Sequence, residues 1–243
     1  MPKILALHGV GQSGVMFRRR TATIVDTLSP LGYEFVFITG PCDIAGTAYI
    51  HARQEDWKPG DDERSWWETD EVGQRHVGIE AAMEIWGKAL KEHGPFVGAL
   101  GFSQGGCSAA SLAAMLEPSR RSHPLTQKYL PSWHPPLEFL VTFSANPYRF
   151  PTPLVYWLFY PETERENLIR TPTLAFFGQK EWQREKSQRE RQAFFISRCE
   201  NIRIRPHPWK HAVPRTQVYA DEVKNFVEDV RSNKSKPLRL ANI

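Results

Sequence analysis

The pentapeptide Gly101-Phe102-Ser103-Gln104-Gly105 constrains this chain more than any other stretch. An apolar run over 96–100 enters it and a small-residue run over 106–116 leaves it, so it joins a strand to a helix. Glycine at both second neighbours of a serine is what so sharp a turn requires, because a side chain at either position would strike the adjacent strand or helix. Such an elbow lifts the Ser103 hydroxyl above the sheet. It also aims the Gln104 backbone N–H, at the positive end of the new helix, toward where an oxyanion would form. The bland alternative is a glycine-rich turn; the flanking strand and helix favour the elbow.

The rest of the chain repeats the same alternation. Residues 3–7 and 137–144 read as buried strands, 34–38 and 171–177 as further strands, and 199–205 as an edge strand because Ile202 and Ile204 alternate with polar residues. Helical patterns cover 15–28, 77–93, 181–195 and 215–230. The middle two differ in kind: 77–93 is a crossover helix carrying Ile79, Met83, Ile85, Trp86 and Leu90, and 181–195 is highly charged. Strands alternating with helices predict an α/β fold with a mostly parallel, doubly wound sheet and helices on both faces. Ligands then bind at the carboxyl ends of the strands.

With 243 residues, 41% of them hydrophobic, one domain over 1–230 is expected. Residues 231–243 lack a packing pattern and read as a flexible basic tail with Arg231, Lys234, Lys236 and Arg239, which accounts for the net charge of +4. A nucleic-acid partner is therefore not expected. Nor is a membrane, since no run approaches the roughly 18 apolar residues a spanning helix needs. The first apolar run is too short for a signal-peptide core. Three widely spaced cysteines, Cys42, Cys107 and Cys199, argue against disulfides and a cysteine metal site, so a cytoplasmic location is expected.

Two loops invite competing readings. Gly9, Gly11 and Gly14 satisfy a dinucleotide fingerprint, but the acidic residue expected at the end of the second strand is replaced by Thr39-Gly40-Pro41. Beside an elbow serine, the loop is better read as an oxyanion loop with the Val10 N–H as second donor. Within the long 41–77 connection, Arg64-Ser65-Trp66-Trp67 reads either as core bracing or as an apolar wall for an acyl chain. The aromatic, proline-rich segment 146–166, with Tyr148 and Trp157, reads as a lid-like insertion or pocket rim. His123 and His134, in a polar excursion, read as solvated loop histidines.

A serine hydroxyl needs a base and the base needs a carboxylate. His211 follows the last strand and is the expected base, with His207 as rival. Glu181, three residues past the strand ending at Phe177, is the expected acid; an exposed glutamate at a helix start is the alternative. The order nucleophile, acid, histidine is that of the α/β-hydrolases.

On these residues the chain resembles the fungal-type FSH serine hydrolases, relatives of the mammalian ovarian-cancer-associated hydrolase. The likeness rests on Leu7-His8-Gly9-Val10-Gly11-Gln12-Ser13-Gly14, on Arg64 to Trp67, on Gly94-Pro95-Phe96 through Gly106, and on His211-Ala212-Val213-Pro214. It implies an esterase or thioesterase without a cofactor. It also implies, on the pattern of the lovastatin-pathway thioesterase, release of a polyketide-type acyl chain in fungal secondary metabolism, from a carrier-protein-bound substrate on a polyketide synthase partner. The family's usual Gly-x-x-Asp and Gly-Gly-His stand here as Gly178-Gln179-Lys180-Glu181 and Trp209-Lys210-His211. A carboxylesterase on small esters, and a degenerate hydrolase fold serving as a binding or cyclisation scaffold, are the competing expectations.

Overall fold

The computed structural model describes residues 1–45, 57–149, 168–184 and 186–232. Its centre is a six-stranded sheet built from β1 (Lys3–Leu7), β2 (Glu34–Ile38), β7 (Phe96–Phe102), β8 (Phe139–Phe143), β9 (Thr173–Gly178) and β10 (Ile202–His207), every recorded pairing of which is parallel. The strand order is β10-β9-β8-β7-β1-β2. The chain begins at β1, steps outward to β2, and returns to the other side of β1 as β7, so strand order reverses between β1 and β7. Loops leaving two such strands diverge and open a crevice, which is where α/β sheets bind ligands. Leu7 of β1 pairs with Gly101 of β7, placing the glycine loop beside the serine elbow.

Alternate residues of each strand serve opposite faces. Leu5 and Leu7 join a core with Trp86, Leu112 and Phe195, from α3 (Ile79–His93), α4 (Gln104–Leu116) and α7 (Lys186–Ser197). Ile4, Ala6 and Phe102 join the other core with Phe17, Ile24, Val223 and Phe226, from α1 (Gly14–Arg20), α2 (Ala22–Leu28) and α8 (Gln217–Ser232). Among the described residues, no helix is long and apolar enough to cross a membrane.

Several expectations are corrected. The helix expected over 15–28 breaks at Thr21, whose hydroxyl donates to the Phe17 carbonyl at 2.8 Å. The charged pattern over 181–195 forms two helices, α6 (Gln179–Arg184) and α7. His134 is no solvated loop histidine: it is buried, its Nε2 accepts the Phe96 N–H at 2.9 Å and its Nδ1 bonds the Pro135 carbonyl at 2.7 Å. His123 caps α5 (Pro124–Tyr129) by accepting the Leu125 N–H. Arg231, expected in the tail, lies in the last turn of α8 and donates to Glu138 and to the Tyr33 hydroxyl, each at 3.0 Å. The 41–77 connection holds two small antiparallel pairs, β3 (Cys42–Asp43) with β4 (Arg64–Ser65) and β5 (Glu68–Asp70) with β6 (Arg75–Val77). Most of the lid-like segment, with Trp157, lies outside the described residues.

Candidate active site

Ser103 sits between β7 and α4 with φ +54° and ψ −119°, a conformation that L-residues with a side chain rarely adopt. The turn survives because both glycines make room. A Cβ on Gly101 would lie 2.3 Å from the Gly105 carbonyl oxygen, and one on Gly105 would lie 2.2 Å from the carbonyl oxygens of Leu7 and His8. The Ser103 N–H donates to the Phe143 carbonyl at 2.9 Å, tying the elbow to β8.

The loop after β1 packs directly against this elbow. A Cβ on Gly9 would lie 2.7 Å from the Phe102 ring and 3.3 Å from Ser103 Cβ, and one on Gly14 would approach the Phe37 carbonyl oxygen at 3.0 Å. Both glycines are thus explained by the chain's own close packing rather than by a phosphate. His8 locks the loop: its Nδ1 donates to the Gly9 carbonyl at 2.7 Å while its Nε2 accepts the Gly40 N–H at 2.8 Å. Those partners fix a neutral tautomer, and burial pushes its pKa down to about 4.

Glu181 and His211 meet because β9 and β10 are neighbours. His207 at the end of β10 pairs with Gly178 at the end of β9, and a Cβ at 178 would lie 2.1 Å from the Lys210 carbonyl oxygen, so glycine lets the two loops touch. His211 Nδ1 lies 2.8 Å from Glu181 Oε1, and Gln192 Nε2 donates to Glu181 Oε2 at 3.2 Å. The Glu181 side chain is only 3% exposed, so it is not a surface glutamate, while that of His211 is 32% exposed. Burial opposes ionisation of Glu181, yet its bonds to His211 and Gln192 and the nearby imidazoles hold its pKa below the usual carboxylate range. The rival His207 is buried beside Trp209 and Tyr219, and burial lowers its pKa to about 4.

Ser103, Val10, Gln104, Glu181 and His211 all line one cavity of about 400 Å³. Trp67 and Tyr148 form part of its wall, with ring centroids 4.6 Å apart, and the Tyr148 hydroxyl bonds Ser111. Trp66 does not line it. That indole is fully buried against His8 and Trp86, which makes it a brace rather than a substrate wall. Arg149, also in the wall, belongs to the 146–166 segment read as a pocket rim, whereas His76 reaches the cavity from the β5–β6 hairpin of the long connection, where no sequence pattern pointed to the site. His76 packs on Trp67 and Tyr148, and its pKa is pushed down to about 4 by burial and by Arg149, which pairs with Glu71.

A reversed parallel sheet with a strained serine at the switch point and a buried carboxylate–histidine pair nearby is the architecture of the α/β-hydrolase fold. Solved structures share the fold: esterase PE8 has TM-score 0.59 and 17% identity, covering 94% of this chain and 92% of that one. A carboxylesterase from Mesorhizobium loti has TM-score 0.56 and 16% identity, covering 93% and 88%. The chain belongs to the serine hydrolase (FSH1) family, which it matches over residues 1–223. It is 28% identical to esterase OVCA2 of Danio rerio, an alignment covering 92% of this chain and 97% of that protein. It is also 27% identical to a Schizosaccharomyces pombe protein named dihydrofolate reductase, covering 93% of this chain and 46% of that one. The chain spans about half the length of that protein and of an uncharacterised hydrolase from the same yeast.

Proposed function

We propose that the chain hydrolyses an ester or thioester through an acyl-Ser103 intermediate, with His211 as base and Glu181 as acid partner. The observation that carries this reading is the shared cavity: a serine on a strained elbow opens into the same space as a histidine bound to a buried carboxylate. His211 takes the hydroxyl proton as Ser103 Oγ bonds to the carbonyl carbon, and the negative oxygen is received by the Val10 and Gln104 N–H groups. As the tetrahedral adduct collapses, the alcohol or thiol leaves with the proton from His211. Water then repeats the cycle on the acyl-enzyme and releases the acid. No step needs a cofactor.

The narrower reading is a polyketide-type acyl chain presented by a carrier domain, with Trp67 and Tyr148 walling the acyl slot. A carboxylesterase acting on small esters competes, favoured by a cavity whose wall also carries Thr69, Asn146, Arg149 and Arg191. Rates on acetyl, hexanoyl and decanoyl esters and the matching thioesters separate the two. Specificity climbing with chain length, as burial at about 0.8 kcal/mol per methylene requires, favours the acyl slot. A steady preference for acetyl leaves the small-ester reading.

A further inference from the structure

The Arg64-Ser65-Trp66-Trp67 segment reaches both halves of the serine site. On one side, the Gly11 N–H donates to the Arg64 carbonyl and the Arg64 N–H to the Gln12 carbonyl, each at 3.0 Å, and the Trp66 indole N–H donates to the His8 carbonyl at 2.8 Å. On the other, the Gln104 side chain clamps the segment. Its Oε1 accepts the Trp66 N–H and its Nε2 donates to the Trp67 carbonyl, both at 2.8 Å. A backbone N–H can only donate and a carbonyl only accept, so these partners fix which way the amide points. From behind, Gly40 lets the segment in, since a Cβ there would lie 2.5 Å from the Ser65 carbonyl oxygen.

Val10 and Gln104 belong to separate elements, a loop after β1 and the first turn of α4, so their spacing depends on what joins them. Donors stabilise an oxyanion only when both sit within about 3 Å of it, and a displacement of about 0.5 Å already loosens a site. We infer that Gln104 is a positioning residue: its side-chain amide, through Trp66 and Trp67, holds the elbow N–H in register with the loop carrying Val10. The inference rests on the reading that Ser103 is the nucleophile. It gives Trp66 a role as the indole strut of the same brace.

The test compares wild type with Gln104→Met, which keeps length and volume but removes both bonds, and with Trp66→Phe, which keeps an aromatic ring but removes the indole donor together with part of the buried ring volume. Turnover of a p-nitrophenyl ester is normalised to serines titrated with a fluorophosphonate, and the Ki of an alkyl boronate, whose serine adduct is tetrahedral, is measured beside it. For Gln104→Met the expected result is kcat per titrated serine down about 10- to 100-fold, KM within about twofold, and boronate Ki raised by the factor lost from kcat/KM. Trp66→Phe should show the same pattern more weakly. The double variant should lose less than the product of the two, because one brace is broken twice. A merely structural role would lower the titratable fraction or the melting temperature and leave kcat per serine unchanged. That result, or a loss confined to KM, overturns the inference. Should Gln104→Met fail to fold, Trp66→Phe decides on the same readouts. A wild-type chain that hydrolyses the ester without labelling at Ser103 defeats instead the nucleophile reading on which the inference stands.

Discussion

Replacing Glu181 with glutamine removes one charge and almost nothing else. Oε1 lies 2.8 Å from His211 Nδ1, so an imidazolium forming there would sit about 4 Å from the carboxylate charge. At an effective dielectric constant of about 20, that attraction is worth about 4 kcal/mol, or roughly 10³ in rate. Triads that lose their acid give about 10⁴, because the histidine also takes the wrong tautomer. The expected loss in kcat/KM is therefore about 10³ to 10⁴. Folding should survive, since the new amide can present its oxygen to His211 and its NH₂ to Gln192. Among the described residues the buried Gln192 Oε1 has no hydrogen-bond partner, and it becomes the acceptor once the Gln192 amide turns over. The assay is ester hydrolysis beside a thermal melt, with Glu190→Gln, an exposed partner of Lys186, as control. A folded Glu181→Gln variant that loses less than about tenfold would refute the reasoning and leave a serine–histidine dyad.

Two further outcomes concern stability. His8 has a folded pKa near 4 against about 6.5 unfolded, so the unfolded chain takes up the proton first, and stability present above pH 6.5 is lost as pH falls toward 4. The slope is about 1.4 kcal/mol per pH unit for this residue, and buried His207 adds in the same direction; urea midpoints constant from pH 6.5 to 4.5 would contradict it. At the far end of α4, buried Glu117 accepts the N–H groups of Arg170 and Thr171 and pairs with buried Arg120 at 2.8 Å. Glu117→Ala should cost about 3–5 kcal/mol and lower Tm by roughly 10 °C, and a change under about 1 kcal/mol would show the network to be dispensable.

Much of this architecture was legible in the residues because parallel strands buried on both faces leave uninterrupted apolar runs. Strand 3–7 has the bounds read from its pattern, and Ser103 between two glycines announces a turn that bulkier neighbours would block. His211 and Glu181 could be placed because strand ends present chemistry. What stayed hidden depended on partners far along the chain. His134 looks like a loop histidine until its bond to Phe96, 38 residues away, shows what buries it. Trp66 and Trp67 are identical neighbours in the sequence. Only the fold sends one behind the wall to His8 and the other into the cavity. The Gln104 side chain was invisible for the same reason, since its partners are backbone atoms 37 and 38 positions upstream and backbone atoms leave no mark on composition.

The claim that Ser103 is the nucleophile meets its most direct test in an intact-mass measurement after exposure to a fluorophosphonate. One adduct per chain is expected, mapped to Ser103, absent in Ser103→Ala and slowed by orders of magnitude in His211→Ala, with hydrolysis lost in step. A wild-type chain that turns over esters while Ser103 stays unmodified, or a Ser103→Ala variant that keeps its activity, would contradict the account.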